Sequence, residues 1–188
     1  LTDIDNNELN LYTLLETYEA VILNFWYTTC SYCNLEFPYM VDAYESSYTD
    51  ESGNVINYKD KVAIIAINPT TAGNGDTIQG MKQYRDSMGL TFNVAPDYDG
   101  DKSNLTMDPA LTSMFYIEGY PTTVVIDKFG LIAEVEAGAI TDIAKWTQTF
   151  DKYIAKTHEY VLDLDGKYEV GITDYAIEQL GDIVFIEL

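Results

Sequence analysis

The chain alternates short, nearly continuous apolar runs with longer segments in which apolar residues recur at helical spacing. The two clearest runs are 21–26 (VILNFW) and 62–68 (VAIIAIN). Runs of this length are typical of strands that are buried on both faces of a sheet. Helical spacing predicts a helix from Cys33 that has Leu35 and Phe37 on its apolar face and reaches Tyr44. It predicts a second helix that Asp76 caps and Gly89 ends, and a last helix that begins at Thr141 or Asp142 and reaches Ile154. Because strands and helices alternate, the pattern predicts an α/β domain.

Shorter segments complete this order. The predicted elements are a strand at 91–95, a short helix that starts at Asp108-Pro109, a strand at 122–127 and its antiparallel return at 131–136. The short helix is predicted to turn Leu111, Met114 and Phe115 inward. We interpret the polar segment 48–60, which contains Gly53-Asn54, as a loop. The order is therefore β-α-β-α-β-β-α, with an inserted unit before the strand at 122–127.

The only two cysteines, Cys30 and Cys33, directly follow the first apolar run. This spacing indicates a redox motif rather than a structural disulfide framework. Thr29 is the predicted N-cap of the helix that follows. The free N–H groups and the dipole of that helix favour negative charge, so Cys30 should form a thiolate more readily than a free cysteine. We expect Cys30 to attack and Cys33 to resolve the mixed disulfide.

Two motifs carry a family resemblance. The segment Asn24-Phe25-Trp26, the Cys30-x-x-Cys33 pair and the following Glu36 and Pro38 resemble the thioredoxin-like fold, in particular the extracytoplasmic TlpA/ResA branch of thiol–disulfide oxidoreductases. The segment 119–127 (GYPTTVVID) resembles the cis-proline loop and the strand after it. The resemblance covers about residues 1–155. It implies a central mixed sheet flanked by helices, with an N-terminal hairpin and an inserted unit.

The resemblance also implies site residues. In the family the loop proline faces the dithiol and helps to bind the substrate chain, so Pro121 takes that role and Tyr120 the neighbouring contact. We assign Trp26 to the same substrate-binding set. The redox-active disulfide is then the only reactive group expected, with no further cofactor. The expected partners are protein thiols and disulfides and a redox partner protein.

Departures from the family leave the proton acceptor of Cys33 open. Many thioredoxins have a buried aspartate on the strand before the dithiol, where this chain has Asn24. ResA-like members have a glutamate after the second strand, where this chain has 68–71 (NPTT). Glu118, near the predicted proline loop, is the candidate that remains.

Composition excludes several other classes of function. The 188 residues carry a net charge of −21, so a nucleic acid or an anionic membrane surface is not an expected partner. No stretch approaches the ~20 apolar residues of a membrane span. Since Leu1 is not a natural start, we expect a removed N-terminal signal or anchor and an extracytoplasmic, secreted or membrane-anchored protein. The alternative is a cytoplasmic protein.

No metal site is expected. A structural zinc site needs four ligands, whereas the chain offers two cysteines and the single His158. The acidic segment 97–108 does not fit a calcium-binding EF-hand loop, because Lys102 and Asp108 stand where that loop needs glycine and glutamate.

The last part of the chain, 158–188, has a second resemblance. Its segments 171–176 (GITDYA) and 178–185 (EQLGDIVF) resemble the N-terminal part of the lipoyl-carrying glycine cleavage system H protein. We therefore divide the chain into a thioredoxin-like domain, 1–157, and a small β-rich appendage, 158–188. The chain ends before the region where that family carries its lipoylated lysine, so Lys167 is not assigned this modification.

Local patterns in the appendage predict a strand at 160–164, a hairpin turn at Asp165-Gly166, a return strand at 167–170, a short helix from Thr173 and a final strand at 182–188. About 31 residues are too few to bury a core alone. The appendage can pack on the first domain, complete itself with another chain or begin a longer domain. Our hypothesis is an assembly element that supports a homodimer.

These observations favour a thiol–disulfide oxidoreductase. The alternative is a redox or carrier module that associates with lipoyl-dependent glycine cleavage components through the H-like appendage. Copper delivery through the dithiol is a third hypothesis, and no suitably placed histidine completes such a site.

Overall fold

The computed structural model describes residues 1–50, 52–69, 76–97 and 110–154, and the backbone of 159–164 and 167–172. The strands in these parts are β1 (Ala20–Phe25), β2 (Ser47–Thr49), β3 (Val55–Asn57), β4 (Val62–Asn68), β5 (Asn93–Pro96), β6 (Thr122–Asp127), β7 (Ile132–Ala137), β8 (Glu159–Leu164) and β9 (Lys167–Ile172). The helices are α1 (Leu11–Thr17), α2 (Ser31–Tyr44), α3 (Ile78–Met88), α4 (Ala110–Met114) and α5 (Ile143–Ile154).

Five strands form one mixed sheet in the order β5-β4-β1-β6-β7. β1 and β5 both run parallel to β4, whereas β6 pairs antiparallel with β1 and β7 antiparallel with β6. This arrangement confirms the predicted central mixed sheet flanked by helices. It places β1, which leads directly into the two cysteines, at the centre of the sheet.

β1 is buried on both faces, as its apolar run predicts. Ile22, on one face, belongs to a core with residues of α2 and α5, including Phe37 and Trp146. Val21, Leu23 and Phe25, on the other face, belong to a second core with residues of α1 and α4. A strand that is covered on both sides has little freedom to shift, so its carboxyl end is a rigid support for the dithiol.

The structure differs from the sequence interpretation in the segment 48–60. It is not a plain loop, because β2 and β3 pair antiparallel from Ser47↔Asn57 to Thr49↔Val55. Each strand has three residues, too few to show an alternating pattern.

A helix that the sequence interpretation missed, α1, begins after Asn10, whose side chain accepts hydrogen bonds from the backbone N–H groups of its first turn.

Two apolar side chains also lie elsewhere than predicted. Leu35 was assigned to the buried face of α2 and is 56% exposed, and Met114 was assigned to the inner side of α4 and is 67% exposed. The predicted N-terminal hairpin is present as an antiparallel bridge between Thr2 and Glu8.

In the appendage, β8 and β9 form the predicted antiparallel hairpin, with Glu159 paired to Ile172 and Leu164 to Lys167. The predicted turn at 165–166, the helix from Thr173, the strand at 182–188 and His158 lie outside the described residues, as does most of the acidic segment 97–108. Within the described ranges, no helix has the length and apolar character that crossing a membrane requires.

Candidate active site

The dithiol lies at the first turn of α2. Cys30 and Cys33 are joined in a disulfide, and their Cα atoms are 5.3 Å apart. The N-cap of the helix is Cys30 and not Thr29 as predicted, since Cys30 Sγ accepts a hydrogen bond from the Cys33 N–H at 3.1 Å. The Cys30 sulfur therefore occupies the position where a helix best stabilises negative charge. This geometry supports the thiolate chemistry expected of Cys30.

Asp76 holds the loop between β1 and α2. The Thr28 N–H donates to Asp76 Oδ2 at 2.8 Å, and the Thr28 hydroxyl donates to Asp76 Oδ1. The side-chain amide of Asn68, the last residue of β4, donates to Asp76 Oδ2 at 2.6 Å. Asp76 was predicted to cap α3, but the N-cap is Thr77, whose hydroxyl oxygen accepts from the Gly80 N–H at 3.0 Å.

The proline loop lies beside this loop. The peptide bond between Tyr120 and Pro121 is cis. Residue 122 starts β6 and pairs with Phe25 at the end of β1, so Pro121 comes next to the segment that leads to the cysteines. The Tyr120 ring packs edge to face on Tyr27, with ring centroids 5.4 Å apart. The structure thus brings Tyr120 and Pro121 to the dithiol loop, while their contact with substrate stays a prediction.

Asp97 fixes the segment before the proline loop. Its buried carboxylate accepts hydrogen bonds from the Leu111 N–H at 2.8 Å, the Thr112 N–H at 2.7 Å and the Thr112 hydroxyl at 2.6 Å. The side chains of Thr112 and Tyr120 are hydrogen-bonded in turn. Asp97 therefore supports the ring that packs against the dithiol loop.

Trp26, which the sequence analysis assigned to substrate binding, is enclosed in the core. Its side chain is 0% exposed. Its ring packs against those of Tyr84 and Phe37, with centroid distances of 4.6 Å and 5.3 Å, and these two rings also contact each other at 6.0 Å. The assignment of Trp26 to substrate binding does not agree with this burial, because a ring enclosed in the core has no surface to offer a second protein. Trp26 instead supports the packing between α2 and α3.

Glu36 is the residue that sequence reasoning missed. Its side chain is 0% exposed. Glu36 Oε2 accepts a hydrogen bond from the side-chain amide of Asn24 at 2.9 Å, and Oε1 accepts from the Ile140 N–H at 2.9 Å. Burial raises the pKa of Glu36 from 4.5 to about 7, although both hydrogen bonds and the charge of Lys145 act to lower it. A carboxyl group with such a pKa can gain or lose a proton at neutral pH.

Glu36 is also better placed than Glu118 to exchange a proton with Cys33. Glu36 follows Cys33 by three residues in α2, so both side chains lie on one helix face, and both are fully buried. Glu118 is exposed in the loop before Gly119. A carboxylate in solvent is a poor partner for a buried thiol, so the structure does not favour Glu118 as the proton acceptor. The sequence did contain a signal, an acidic residue at an inward position of an apolar helix face.

Metal chemistry has no visible support in the part of the chain that the structure describes. There, no group of three or more histidine, cysteine, aspartate or glutamate side chains is arranged to hold a metal ion.

Comparison with known proteins identifies the family. The family model of AhpC/TSA matches residues 1–135. The chain belongs to the AhpC/TSA family. The glycine cleavage H-protein family model matches residues 152–188. Both resemblances found in the sequence are therefore confirmed.

The chain is similar in sequence to two bacterial proteins, one named as a thioredoxin-like protein and the other as a thiol-disulfide oxidoreductase. It is 28% identical over 123 residues to the thioredoxin-like protein YneN of Bacillus subtilis, covering 65% of this chain and 59% of that protein. It is 33% identical over 124 residues to the thiol-disulfide oxidoreductase ResA of Oceanobacillus iheyensis, covering 65% of this chain and 52% of that protein. The chain thus spans only somewhat more than half the length of these relatives.

Solved structures confirm the thioredoxin-like fold. A thiol-disulfide isomerase from Corynebacterium glutamicum superposes with a TM-score of 0.63 at 19% identity, over 84% of this chain and 93% of that one. StoA from Bacillus subtilis gives a TM-score of 0.54 at 18% identity, over 79% of this chain and 92% of that one.

The appendage is similar to the glycine cleavage system H protein of Prochlorococcus marinus strain MIT 9312. The two are 59% identical over 34 residues, which are 18% of this chain and 26% of that protein. The similarity covers about a quarter of the H protein.

Proposed function

We propose that this protein is a thiol–disulfide oxidoreductase that exchanges disulfides with protein substrates, with Cys30 as the attacking and Cys33 as the resolving cysteine. The observation that carries the proposal is the position of Cys30 as the N-cap of α2, where its sulfur accepts the Cys33 N–H and is joined to Cys33 in a disulfide. The names of the relatives YneN and ResA support it.

In the direction that reduces a substrate, the Cys30 thiolate attacks one sulfur of the substrate disulfide. That disulfide breaks, one substrate sulfur leaves as a thiolate, and a mixed disulfide remains on Cys30. Cys33 then loses its proton and attacks Cys30 Sγ, which releases the second substrate sulfur. Two electrons have moved from the dithiol to the substrate, and the protein is left with the disulfide that the structure contains. The reverse sequence oxidises a substrate.

We assign Glu36 as the group that accepts the Cys33 proton in the resolving step. It is buried on the same face of α2 as Cys33, and its pKa of about 7 allows it to take up a proton at neutral pH. The N–H groups of Asn24 and Ile140 stabilise its ionised form before the transfer. In this proposal Tyr120 and Pro121 hold the substrate chain beside Cys30.

Two serine variants test the roles of the cysteines. With a fluorescent disulfide-linked peptide as substrate, Cys33→Ser should accumulate a mixed disulfide, because no thiol remains to resolve it. Cys30→Ser should form none. Intact-protein mass spectrometry detects the adduct directly. Release of the peptide by Cys33→Ser as fast as by the parent protein would show that the roles are wrongly assigned.

The proposed location is outside the cytoplasm, with a redox partner protein that restores the dithiol. The resemblance to the extracytoplasmic TlpA/ResA branch and the identity with ResA support this location. In cells that produce the full-length protein, a membrane-impermeant maleimide should label reduced Cys30 without lysis. Labelling only after lysis would place the protein inside.

A second candidate function rests on the 59% identity of the appendage to an H protein. The appendage would dock with lipoyl-dependent glycine cleavage components, and the Cys30–Cys33 disulfide would accept two electrons from a dihydrolipoyl group. Dihydrolipoyl H protein should then reduce the disulfide at least tenfold faster than free dihydrolipoamide. Equal rates would remove this candidate. Light scattering of the full chain tests the predicted homodimer.

A further inference from the structure

One carboxylate joins the loop that carries the attacking cysteine to the end of the second central strand. Asp76 accepts hydrogen bonds from the Thr28 N–H at 2.8 Å, from the Thr28 hydroxyl and from the Asn68 side-chain amide at 2.6 Å. In each of these three contacts Asp76 is the acceptor, as a carboxylate is suited to be. Hydrogen bonds to a charged acceptor are stronger than neutral ones, so this is a firm restraint on Thr28.

The other end of the restraint is rigid. Asn68 is the last residue of β4, is fully buried and lies in a strand that pairs on both sides. Its carbonyl oxygen accepts from the Asp97 N–H at 2.8 Å. Asp97 in turn holds Thr112, which is hydrogen-bonded to Tyr120. The loop before the dithiol and the loop before the proline are therefore both anchored at the end of β4.

Asp76 also brings a negative charge close to Cys30. Thr28 and Cys30 are two residues apart, so their Cα atoms are separated by no more than about 7 Å. The Cys30 N–H donates to the Tyr27 carbonyl at 3.1 Å, which folds this segment into a turn and keeps it compact. A nearby carboxylate repels a thiolate and has no such effect on a neutral disulfide.

We propose that Asp76 is a positioning residue that holds the Tyr27–Cys30 loop in the geometry for disulfide closure and thereby makes the dithiol a stronger reductant. The inference rests on the proposed function and specifies how its reactivity is set. Two effects act in the same direction. A fixed loop keeps Cys30 in reach of Cys33, which favours closure of the ring. Repulsion between the carboxylate and the Cys30 thiolate disfavours the reduced state.

The test is the equilibrium between the dithiol and the glutathione couple, measured on the full chain for Asp76→Asn and Asp76→Ala. We expect Asp76→Ala to shift the equilibrium about tenfold toward the reduced form, a rise in potential of about 30 mV for a two-electron couple. Asp76→Asn should shift it less, because one side-chain oxygen can still accept from Thr28. The matched control is Asp86→Asn, which removes an exposed carboxylate that lies in α3, the helix that follows Asp76, and contacts Arg85.

A substitution of Thr28, the other member of this contact, tests the inference independently in case Asp76→Ala does not fold. Thr28→Val removes the hydroxyl and keeps the N–H, and it should shift the equilibrium in the same direction. In the double variant Thr28→Val/Asp76→Asn the two shifts should not add, because they report one contact. The inference is overturned if the Asp76 variants melt at lower temperature while their equilibria stay within twofold of Asp86→Asn. Failure of the parent chain to exchange with glutathione at all would instead overturn the proposed function.

Discussion

Replacing Glu36 by glutamine should change how stability depends on pH. Glutamine has nearly the same shape and keeps an oxygen to accept from the Ile140 N–H. Its amide group would meet the Asn24 amide nitrogen, but Asn24 Oδ1 has no hydrogen-bond partner among the described residues. A rotation of the Asn24 amide therefore restores the hydrogen bond. The substitution removes the titration of Glu36 with little change in packing.

The size of the effect follows from the pKa of Glu36, which burial raises from 4.5 to about 7. This rise corresponds to about 3 kcal/mol of difference between the protonated and the ionised forms. Below about pH 4.5 the Glu36 carboxyl is protonated in both the folded and the unfolded chain, so its burial does not lower the free energy of unfolding. As pH rises toward 7 the unfolded chain loses the proton first, so the parent protein loses stability. Between about pH 5 and about pH 8 the expected loss is about 2.5 kcal/mol.

Urea denaturation of the oxidised protein at several pH values measures this loss and keeps the cysteines out of the titration. The other carboxylates titrate equally in both proteins, so the informative quantity is the difference between the parent and Glu36→Gln. That difference should grow in favour of Glu36→Gln as pH rises. Glu118→Gln, which changes an exposed carboxylate, is the control and should follow the parent. Parallel curves for the parent and Glu36→Gln would refute the raised pKa and with it the role as proton acceptor.

Three further substitutions test the surroundings of the site by denaturation in urea. Asn24→Asp puts a second carboxyl next to Glu36, and since the two cannot both ionise cheaply, stability at about pH 8 should fall by roughly 2 kcal/mol or more relative to the parent. Asp97→Ala leaves three donors at α4 without their acceptor and should cost about 2–4 kcal/mol. Phe150→Ala opens a cavity in the buried core and should cost about 3–5 kcal/mol, whereas Phe129→Ala, at an exposed ring, should stay within about 0.5 kcal/mol. Equal costs for the two phenylalanines would contradict the assigned core.

The sequence predicts the centre of this fold well because the central strands are covered on both faces. The apolar runs at 21–26 and 62–68 correspond to β1 and β4, and the strand predicted at 122–127 has the bounds of β6. The spacing of the two cysteines at the start of a helix also predicted that they form a redox-active disulfide pair. Short strands such as β2 and β3 escape prediction because their stability comes from pairing and not from a pattern of three residues.

The helix that carries the site shows where residue type misleads. Its buried positions include Cys33, Glu36, Phe37 and Met40, which follow helical spacing. Leu35 was predicted to be buried because it is apolar, although its position in the helix lies between the buried positions 33 and 36. Glu36 was not predicted to be buried because it is charged. Spacing was the better guide than residue type. A charged residue at an inward position of a helix is therefore a sequence signal for a functional group.

The hydrogen bonds around Glu36 also connect the proposed proton acceptor to the strand that follows the proline loop. The Asn24 amide donates to Glu36 and to the hydroxyl oxygen of Thr123, at 2.9 Å and 3.1 Å. Thr123 is two residues after Pro121, where the substrate chain is proposed to bind. With a pKa of about 7, Glu36 is close to half ionised at neutral pH, so it can accept the Cys33 proton or return it. In the proposed function, this network would therefore serve both directions of exchange. The direction would then be set by groups that act on the dithiol itself, such as the Asp76 carboxylate that holds the loop before Cys30.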